Sequence, residues 1–214
     1  MSFYRFVWGL GAGLCSLLFR LRVDGRKHIP AQGALIVASN HCSYVDPILI
    51  GVAGYREFCY VAKREAFAVP VLGWLITRMN AIPIDRSRQG DRQALRRIEA
   101  TLQSGKALLM FPEGTRNKSR QFLEPRSGIG MMVARNSVPV LPVYLSGTVN
   151  VWRTLAGLER AVVRFGPVLR FDAETDGNRK GAYRRIGNDV MVAIDSLRRA
   201  SLGEQDGSTP GGAE

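Results

Sequence analysis

Residues 34–47 read Ala-Leu-Ile-Val-Ala-Ser-Asn-His-Cys-Ser-Tyr-Val-Asp-Pro, and this stretch decides the fold class. Its first six residues form a short apolar run opened by Gly33, which is typical of a strand buried on both faces of a sheet. Asp46 and Pro47 predict a helix start, with Asp46 as the N-cap and Pro47 in the first helical position. A buried strand that leads directly into a helix predicts an α/β domain.

The same alternation continues along the rest of the chain. Residues 63–86 mix apolar residues with Pro70, Gly73 and Pro83, which predicts a short helix, a turn and a strand. Further strands are predicted at residues 81–84, 107–111, 138–145 and 161–171, the last as an edge or antiparallel strand, and helices at residues 91–103, 127–136 and 183–200. Such a pattern predicts one layered domain, a mixed sheet flanked by helices, with functional residues at the C-terminal ends of strands.

Composition limits the classes of protein to consider. A chain of 214 residues with 46% hydrophobic and 22% charged residues predicts one globular domain with a sizeable core. The net charge of +12 favours an anionic partner, which is a nucleic acid, an anionic membrane surface or a polyphosphate. The arginine-rich helices lack interleaved aromatic residues, so no nucleic-acid partner is expected. Three cysteines without CxxC spacing and two histidines predict neither a disulfide framework nor a metal site.

The two ends of the chain differ in character. Residues 6–19 are uncharged and mostly apolar, with Arg5, Arg20 and Arg22 as flanking charges. A helix of this length measures about 21 Å, short of the roughly 30 Å hydrocarbon core, and no signal-peptide cleavage site follows it. We therefore expect residues 1–22 to form a short helix in the membrane interface, with a buried core helix as the alternative. Residues 23–200 form the predicted catalytic domain, and the acidic, Gly/Ser-rich residues 201–214 a disordered tail.

His41 and Asp46 are candidates for a base and the carboxylate that orients it. In one helix these residues would stand about 140° apart with roughly 7.5 Å of rise, and in one strand about 16 Å apart. The segment between them must therefore turn if the side chains are to meet, and Asp46 would then fix the imidazole tautomer for general-base work. The alternatives are a core histidine and a plain N-cap. Covalent catalysis by Ser43 or Cys42 is disfavoured because no GxSxG motif occurs.

Residues 113–116, Glu-Gly-Thr-Arg, follow the predicted strand at 107–111 and suit the binding of a phosphate. Gly114 lets the backbone approach an anion closely, and the guanidinium of Arg116 binds phosphate in a bidentate manner. Glu113 would hold Arg116 in place or accept a hydrogen bond from a substrate hydroxyl. The alternative is a surface turn with an exposed ion pair.

Four blocks in this order resemble the glycerolipid acyltransferase family, typified by 1-acyl-sn-glycerol-3-phosphate (lysophosphatidic acid) acyltransferases. The blocks are NHCSYVDP at 40–47, residues 63–86 with Gly-Trp-Leu at 73–75 and Ile-Pro-Ile-Asp-Arg at 82–86, FPEGTR at 111–116, and VPVLPV at 138–143. Two positions depart from the commonest family pattern. Asn80 stands where the second block often has glycine, and Arg126 lies where a lysine-rich segment usually follows FPEGTR.

The resemblance implies direct transfer of an acyl chain to the sn-2 hydroxyl of lysophosphatidic acid, giving phosphatidic acid. In this scheme His41 deprotonates the hydroxyl and Asp46 orients His41. The expected substrate ligands are Arg86, Glu113, Gly114, Thr115 and Arg116. The co-substrate is acyl-CoA or acyl-carrier protein, with no further cofactor, and the expected location is the cytoplasmic face of the cell membrane, peripheral or monotopic. The alternatives are a related enzyme acting on another lysolipid or hydroxylated lipid, and a non-catalytic basic membrane-binding domain.

Overall fold

The structure, a computed structural model, describes residues 3–85, 91–119, 121–172 and 178–206. Its centre is a seven-stranded sheet in the order β1-β7-β6-β2-β5-β3-β4. The strands are β1 (Arg22–Asp24), β2 (Leu35–Ser39), β3 (Phe58–Lys63), β4 (Ala81–Ile84), β5 (Ala107–Met110), β6 (Val140–Ser146) and β7 (Val162–Phe165). The helices are α1 (Phe3–Leu18), α2 (Asp46–Ala53), α3 (Pro70–Arg78), α4 (Arg92–Gln103), α5 (Ser127–Asn136), α6 (Val151–Leu155) and α7 (Arg179–Asp206).

The sheet is mixed, as the sequence predicts. Strand β2 lies at its centre and pairs in parallel with β5 and β6. Strand β7 is antiparallel to β6, and β1 is parallel to β7. The predicted fold class, a mixed sheet flanked by helices, is confirmed.

Strand β2 is fully buried because helices cover both faces of the sheet. Leu35 and Val37 pack on one face, in the core cluster that includes Leu49 of α2. Ile36 and Ala38 pack on the other face, against residues of α4, α5 and α7. Burying each large aliphatic side chain contributes about 1.5–3 kcal/mol. The central position of β2 therefore fixes the place where the chain leaves the sheet towards His41.

One expectation needs correction and one strand was not predicted. The N-cap of α2 is Val45 rather than Asp46, because the Asp46 carboxylate turns back onto the preceding loop. Strand β3 was not predicted from the sequence. Strand β7 is antiparallel to β6, which confirms the prediction of an edge or antiparallel strand, and it lies between β6 and β1.

The terminal segments join the domain more closely than the sequence suggests. Helix α1 has a rise of about 24 Å, and it ends beside Phe19, which is buried in the core. Leu17 is 77% exposed, so α1 is not a fully buried core helix. No helix in the described ranges has both the length and the apolar character needed to cross a bilayer. Helix α7 continues through Asp206, so the first six residues of the predicted tail are helical, and residues 207–214 lie outside the described part.

Candidate active site

The candidate site lies where β2 and β5 end. Ala38 of β2 pairs in parallel with Met110 of β5, so the segments that follow these strands emerge side by side. One segment carries His41, and the other carries the residues from Phe111 to Arg116. Parallel pairing thus brings together two motifs that lie about seventy residues apart in the sequence.

The segment between His41 and Asp46 turns, and the two side chains meet. The Nδ1 atom of His41 lies 2.9 Å from Oδ2 of Asp46. A carboxylate only accepts hydrogen bonds, so we assign the Nδ1 proton to this contact, and Nε2 is then the basic nitrogen. The same Oδ2 accepts from the backbone N–H groups of Cys42, at 2.6 Å, and Ser43, at 2.7 Å. Asp46 is fully buried, and these three donors fix its position.

The imidazole and the backbone of His41 are both held by the β5–α5 segment. The ring stacks on Phe111 with centroids 3.9 Å apart and planes inclined by 15°. The carbonyl of His41 accepts from the N–H of Asn117 at 2.7 Å. The N–H of His41 lies 3.4 Å from Oε1 of Glu113. Rotation of the ring is therefore restricted before any substrate binds.

Glu113 is 3% exposed, and its carboxylate bonds to protein groups. Besides the contact with His41, its Oε2 accepts from Nδ2 of Asn117 at 2.9 Å and from the N–H of Leu123 at 3.0 Å. These contacts connect the His41 loop to the β5–α5 segment. The expected contact between Glu113 and a substrate hydroxyl stays a prediction.

Arg116 is exposed beside the His41 loop. Its guanidinium carbon lies 3.5 Å from the centre of the Tyr44 ring, and Nη2 donates to the Tyr44 hydroxyl at 2.8 Å. Stacking and a hydrogen bond together give the guanidinium a defined orientation. Thr115 is exposed in the same turn, whereas Arg86 lies outside the described residues.

Two features of the turn at Gly114 favour glycine, of which the backbone conformation is the stronger. Its φ angle is +67°, in the left-handed region. A Cβ atom there would lie 2.4 Å from Cδ of Arg126. The Arg126 side chain therefore crosses the turn and brings a second guanidinium-bearing side chain to the Arg116 segment. The sequence suggested only that Arg126 keeps a positive charge in this region.

Cys42 is poorly suited to act as a nucleophile. Burial raises the pKa of its thiol to about 11, and the nearby Asp46 carboxylate acts in the same direction. At neutral pH the thiol is protonated. The raised pKa therefore argues against an acyl-cysteine intermediate.

Several supporting residues were not identified from the sequence. Asn40 continues the β2–β6 pairing through its side chain, which donates to the Leu145 carbonyl and accepts from the Leu145 N–H, both at 2.9 Å. The position of Asn40 directly before His41 was the only feature of the sequence that could have indicated its role. The roles of Tyr44, Phe111 and Asn117 could not be predicted because they depend on contacts between residues far apart in the sequence. Asn80, which replaces a common glycine, has a φ of +58°, a conformation that asparagine adopts more readily than most residues.

The candidate site thus combines an ordered histidine–aspartate pair, suited to general-base work, with an arginine-bearing turn at the C-terminal edge of a mixed sheet. The sequence profile of the family described as Acyltransferase matches residues 20–146, and the chain belongs to this acyltransferase family. The 1-acyl-sn-glycerol-3-phosphate acyltransferase of Limnanthes douglasii is 32% identical over 196 residues, which are 88% of this chain and 68% of that protein. The bacterial enzyme of the same name from Streptococcus pneumoniae is 27% identical over 201 residues, covering 91% of this chain and 73% of that protein.

Other comparisons define the extent of the similarity. The chloroplastic 1-acyl-sn-glycerol-3-phosphate acyltransferase of Arabidopsis thaliana is 27% identical over 72% of this chain, and the chain spans 44% of the length of that relative. The crystal structure of the 1-acyl-sn-glycerophosphate (LPA) acyltransferase PlsC from Thermotoga maritima has a similar fold. Its TM-score is 0.70 at 22% identity, over 92% of this chain and 79% of that chain.

Proposed function

We propose that this protein transfers an acyl chain from a thioester to the sn-2 hydroxyl of lysophosphatidic acid and thereby makes phosphatidic acid. The observation that carries the proposal is the 2.9 Å contact between His41 and Asp46 beside the turn that bears Arg116. Relatives in plants and bacteria whose names state this activity support the choice of acceptor.

The chemical step follows from the orientation of the imidazole. Nε2 of His41 takes the proton of the acceptor hydroxyl while the hydroxyl oxygen attacks the carbonyl carbon of the thioester. The tetrahedral intermediate then collapses, the C–S bond breaks, and the leaving sulfur takes the proton from His41. Asp46 stabilises the imidazolium between these two proton transfers. No acyl-enzyme forms, in agreement with the raised pKa of the Cys42 thiol.

The phosphate of the acceptor binds at the turn that contains Gly114 and Thr115. Arg116 supplies the principal cation, and Arg126 supplies a second positive charge across the turn. The family resemblance adds Arg86 to this set. Glu113 fixes the backbone of the His41 loop.

The donor is acyl-CoA or acyl-carrier protein, and no other cofactor takes part. The enzyme acts as a peripheral or monotopic protein at the cytoplasmic face of the cell membrane. The basic character of the chain and the partly exposed helix α1 support this location.

A labelled acyl-transfer assay with lysophosphatidate, glycerol 3-phosphate and lysophosphatidylcholine offered in parallel tests the proposal. We expect transfer to lysophosphatidate, and a fall of about 10²–10⁴-fold or more in His41→Ala. The matched control is His28→Ala, because the side chain of this second histidine contacts the carbonyl of Phe165 at the end of β7, outside the candidate site. A full rate in His41→Ala would reject the mechanism, and a preference for lysophosphatidylcholine would reject the acceptor.

The phosphate site has a separate test at Tyr44, which orients Arg116. We expect Tyr44→Ala to raise KM for lysophosphatidate by roughly tenfold with little change in kcat, because both the stack and the hydrogen bond are lost. Tyr55→Ala is the control, since Tyr55 forms a similar stack with Arg26 at the far end of α2. Equal effects in the two variants would argue against a role for Tyr44 in binding the phosphate.

A further inference from the structure

The edge of the sheet that carries His41 also carries the end of α1 and the start of α6. Ser146, the last residue of β6, pairs with Val162, the first residue of β7. Val162 in turn pairs with Arg22 of β1, the strand that follows α1. Helix α6 begins five residues after β6 ends. The pairing order therefore places the end of α1 and the start of α6 at the same edge of the sheet as the His41 loop.

Two hydrogen bonds, one from a side chain and one from the backbone, join the end of α1 to the segment between α6 and β7. Nη1 of Arg20 donates to the carbonyl of Gly157 at 2.9 Å. The N–H of Ala161 donates to the carbonyl of Phe19 at 2.9 Å, and Phe19 is buried in the core. The end of α1 and this segment consequently form one continuous surface.

This surface exposes large apolar side chains. Trp152 is 80% exposed, Leu17 77% and Leu158 67%. We define the apolar edge surface as Leu17, Leu18, Val149, Trp152, Leu155 and Leu158. An exposed apolar surface of this kind marks an interaction site when polar or charged residues surround it.

Arginines flank the residues of the apolar edge surface. Arg20, Arg153 and Arg160 are exposed, each within two residues of a member of this surface in the sequence, and Arg153 pairs with Glu159 at 2.7 Å. The rim is therefore positive, in a chain whose net charge is +12. Apolar side chains framed by arginines, with a tryptophan among them, are the combination that binds at the boundary between lipid headgroups and acyl chains.

We propose that the apolar edge surface docks on an anionic lipid bilayer. In this arrangement Trp152 and Leu158 enter the headgroup boundary, and the flanking arginines contact lipid phosphates. Docking at this edge turns the His41 loop towards the bilayer, so a lipid acceptor reaches the site without leaving the membrane surface. The proposal extends the membrane contact from α1 to α6 and the turn that follows it, and it does not depend on which acceptor is acylated.

Binding to vesicles tests this assignment without any catalytic turnover. The full chain and the double variant Trp152→Ser/Leu158→Ser are sedimented with vesicles of phosphatidylcholine alone or with added phosphatidylglycerol. We expect the partition coefficient of the double variant onto the anionic vesicles to fall about tenfold or more. The free energy gained by burying two large apolar side chains is larger than the free energy that corresponds to a tenfold change in affinity. The control is Val192→Ser, a substitution at a 65% exposed valine of α7, on the other face of the sheet.

A second measurement serves if the double variant folds poorly. In a protein with Trp8→Phe and Trp74→Phe, Trp152 is the remaining tryptophan, and bromine-labelled lipids should quench its fluorescence. Unchanged vesicle binding in the double variant, equal losses in the control, or absence of quenching would each overturn the proposal. Unchanged vesicle binding together with weaker binding of acyl-carrier protein would assign the surface to that acidic protein instead.

Discussion

Asp46 holds both the loop and the imidazole of His41 through one oxygen atom. Its Oδ2 receives two backbone N–H groups and the imidazole of His41, while its backbone begins α2. The two backbone bonds fix the loop, so the third bond reaches the imidazole in a preset direction. An alanine at this position would leave buried donors without partners as well as removing the charge.

A substitution at Glu113 distinguishes the contact with a substrate hydroxyl, which was expected from the sequence, from the structural role indicated by its hydrogen bonds. We expect Glu113→Gln to lower the unfolding free energy by about 1–3 kcal/mol, because the amide NH2 would face one of the donors that the carboxylate now accepts. The variant should also lower kcat while KM for lysophosphatidate changes little. Thermal unfolding and steady-state kinetics measure the two effects, and Glu124→Gln is the exposed control in the same segment. A higher KM with unchanged stability would instead identify Glu113 as a direct substrate ligand.

Cys42 provides a pH-dependent prediction. Its pKa is raised from 9.0 to about 11, so at neutral pH the folded protein holds about a hundredfold less thiolate than an ordinary cysteine. Alkylation by iodoacetamide should therefore be slow near pH 7.5 and should accelerate as the pH rises towards 11. Mass spectrometry of the Cys42 peptide measures the rate, and the urea-unfolded chain is the control. Rapid alkylation of the folded protein at neutral pH would contradict the assignment.

At the scale of secondary-structure elements, the sequence best predicts the helices and strands whose positions are determined by a local pattern of apolar residues. The stripe of Ala94, Leu95, Ile98 and Leu102 predicts α4. Three of these side chains are buried, and Leu95 is partly buried against the same core. Strand β3 was missed because its position depends on pairing with β4 and β5 rather than on its own pattern.

In the candidate site, too, local features could be predicted from the sequence and long-range contacts could not. The turn between His41 and Asp46 follows from their spacing, and the structure confirms that the side chains meet. The contact of Glu113 with the backbone of His41 joins residues 72 positions apart. Only the order of the strands creates such a contact, and no local pattern in either segment encodes it.

The packing of α5 on α7 depends on a glycine. A Cβ atom at Gly130 would lie 1.9 Å from the carbonyl oxygen of Tyr183 in α7. We expect Gly130→Ala to cost about 1–3 kcal/mol or more, because the two helices must separate. Gly128→Ala is the control in the same helix, where nothing lies within 4 Å of the added atom, and it should be neutral or stabilising by up to about 1 kcal/mol. Urea unfolding of both variants compares them directly, and equal stability would show that the helices adjust without cost.

At the scale of the whole molecule, the site and the apolar edge surface share one side of the sheet. Strands β2 and β6 end on this side, and β1 and β7 begin there. The residues of the candidate site and those proposed to contact lipid are therefore held by the same sheet. A substrate whose acyl chain stays in the bilayer fits this arrangement, because its polar head is the part that must reach His41.

Charge and apolar contact should contribute separately to membrane binding, because they act over different distances. Raising the salt concentration from about 0.1 M to about 1 M shortens the screening length from about 10 Å to about 3 Å, which weakens the attraction of the basic chain to anionic vesicles. Trp152 and Leu158 act only on contact, so salt should leave their contribution nearly unchanged. We therefore expect the wild type and Trp152→Ser/Leu158→Ser to lose vesicle binding with the same salt dependence, offset by a constant factor. Sedimentation across a salt series measures both slopes. A double variant whose binding no longer responds to salt would show that these two side chains bring the arginines to the membrane, so that the two contributions are one.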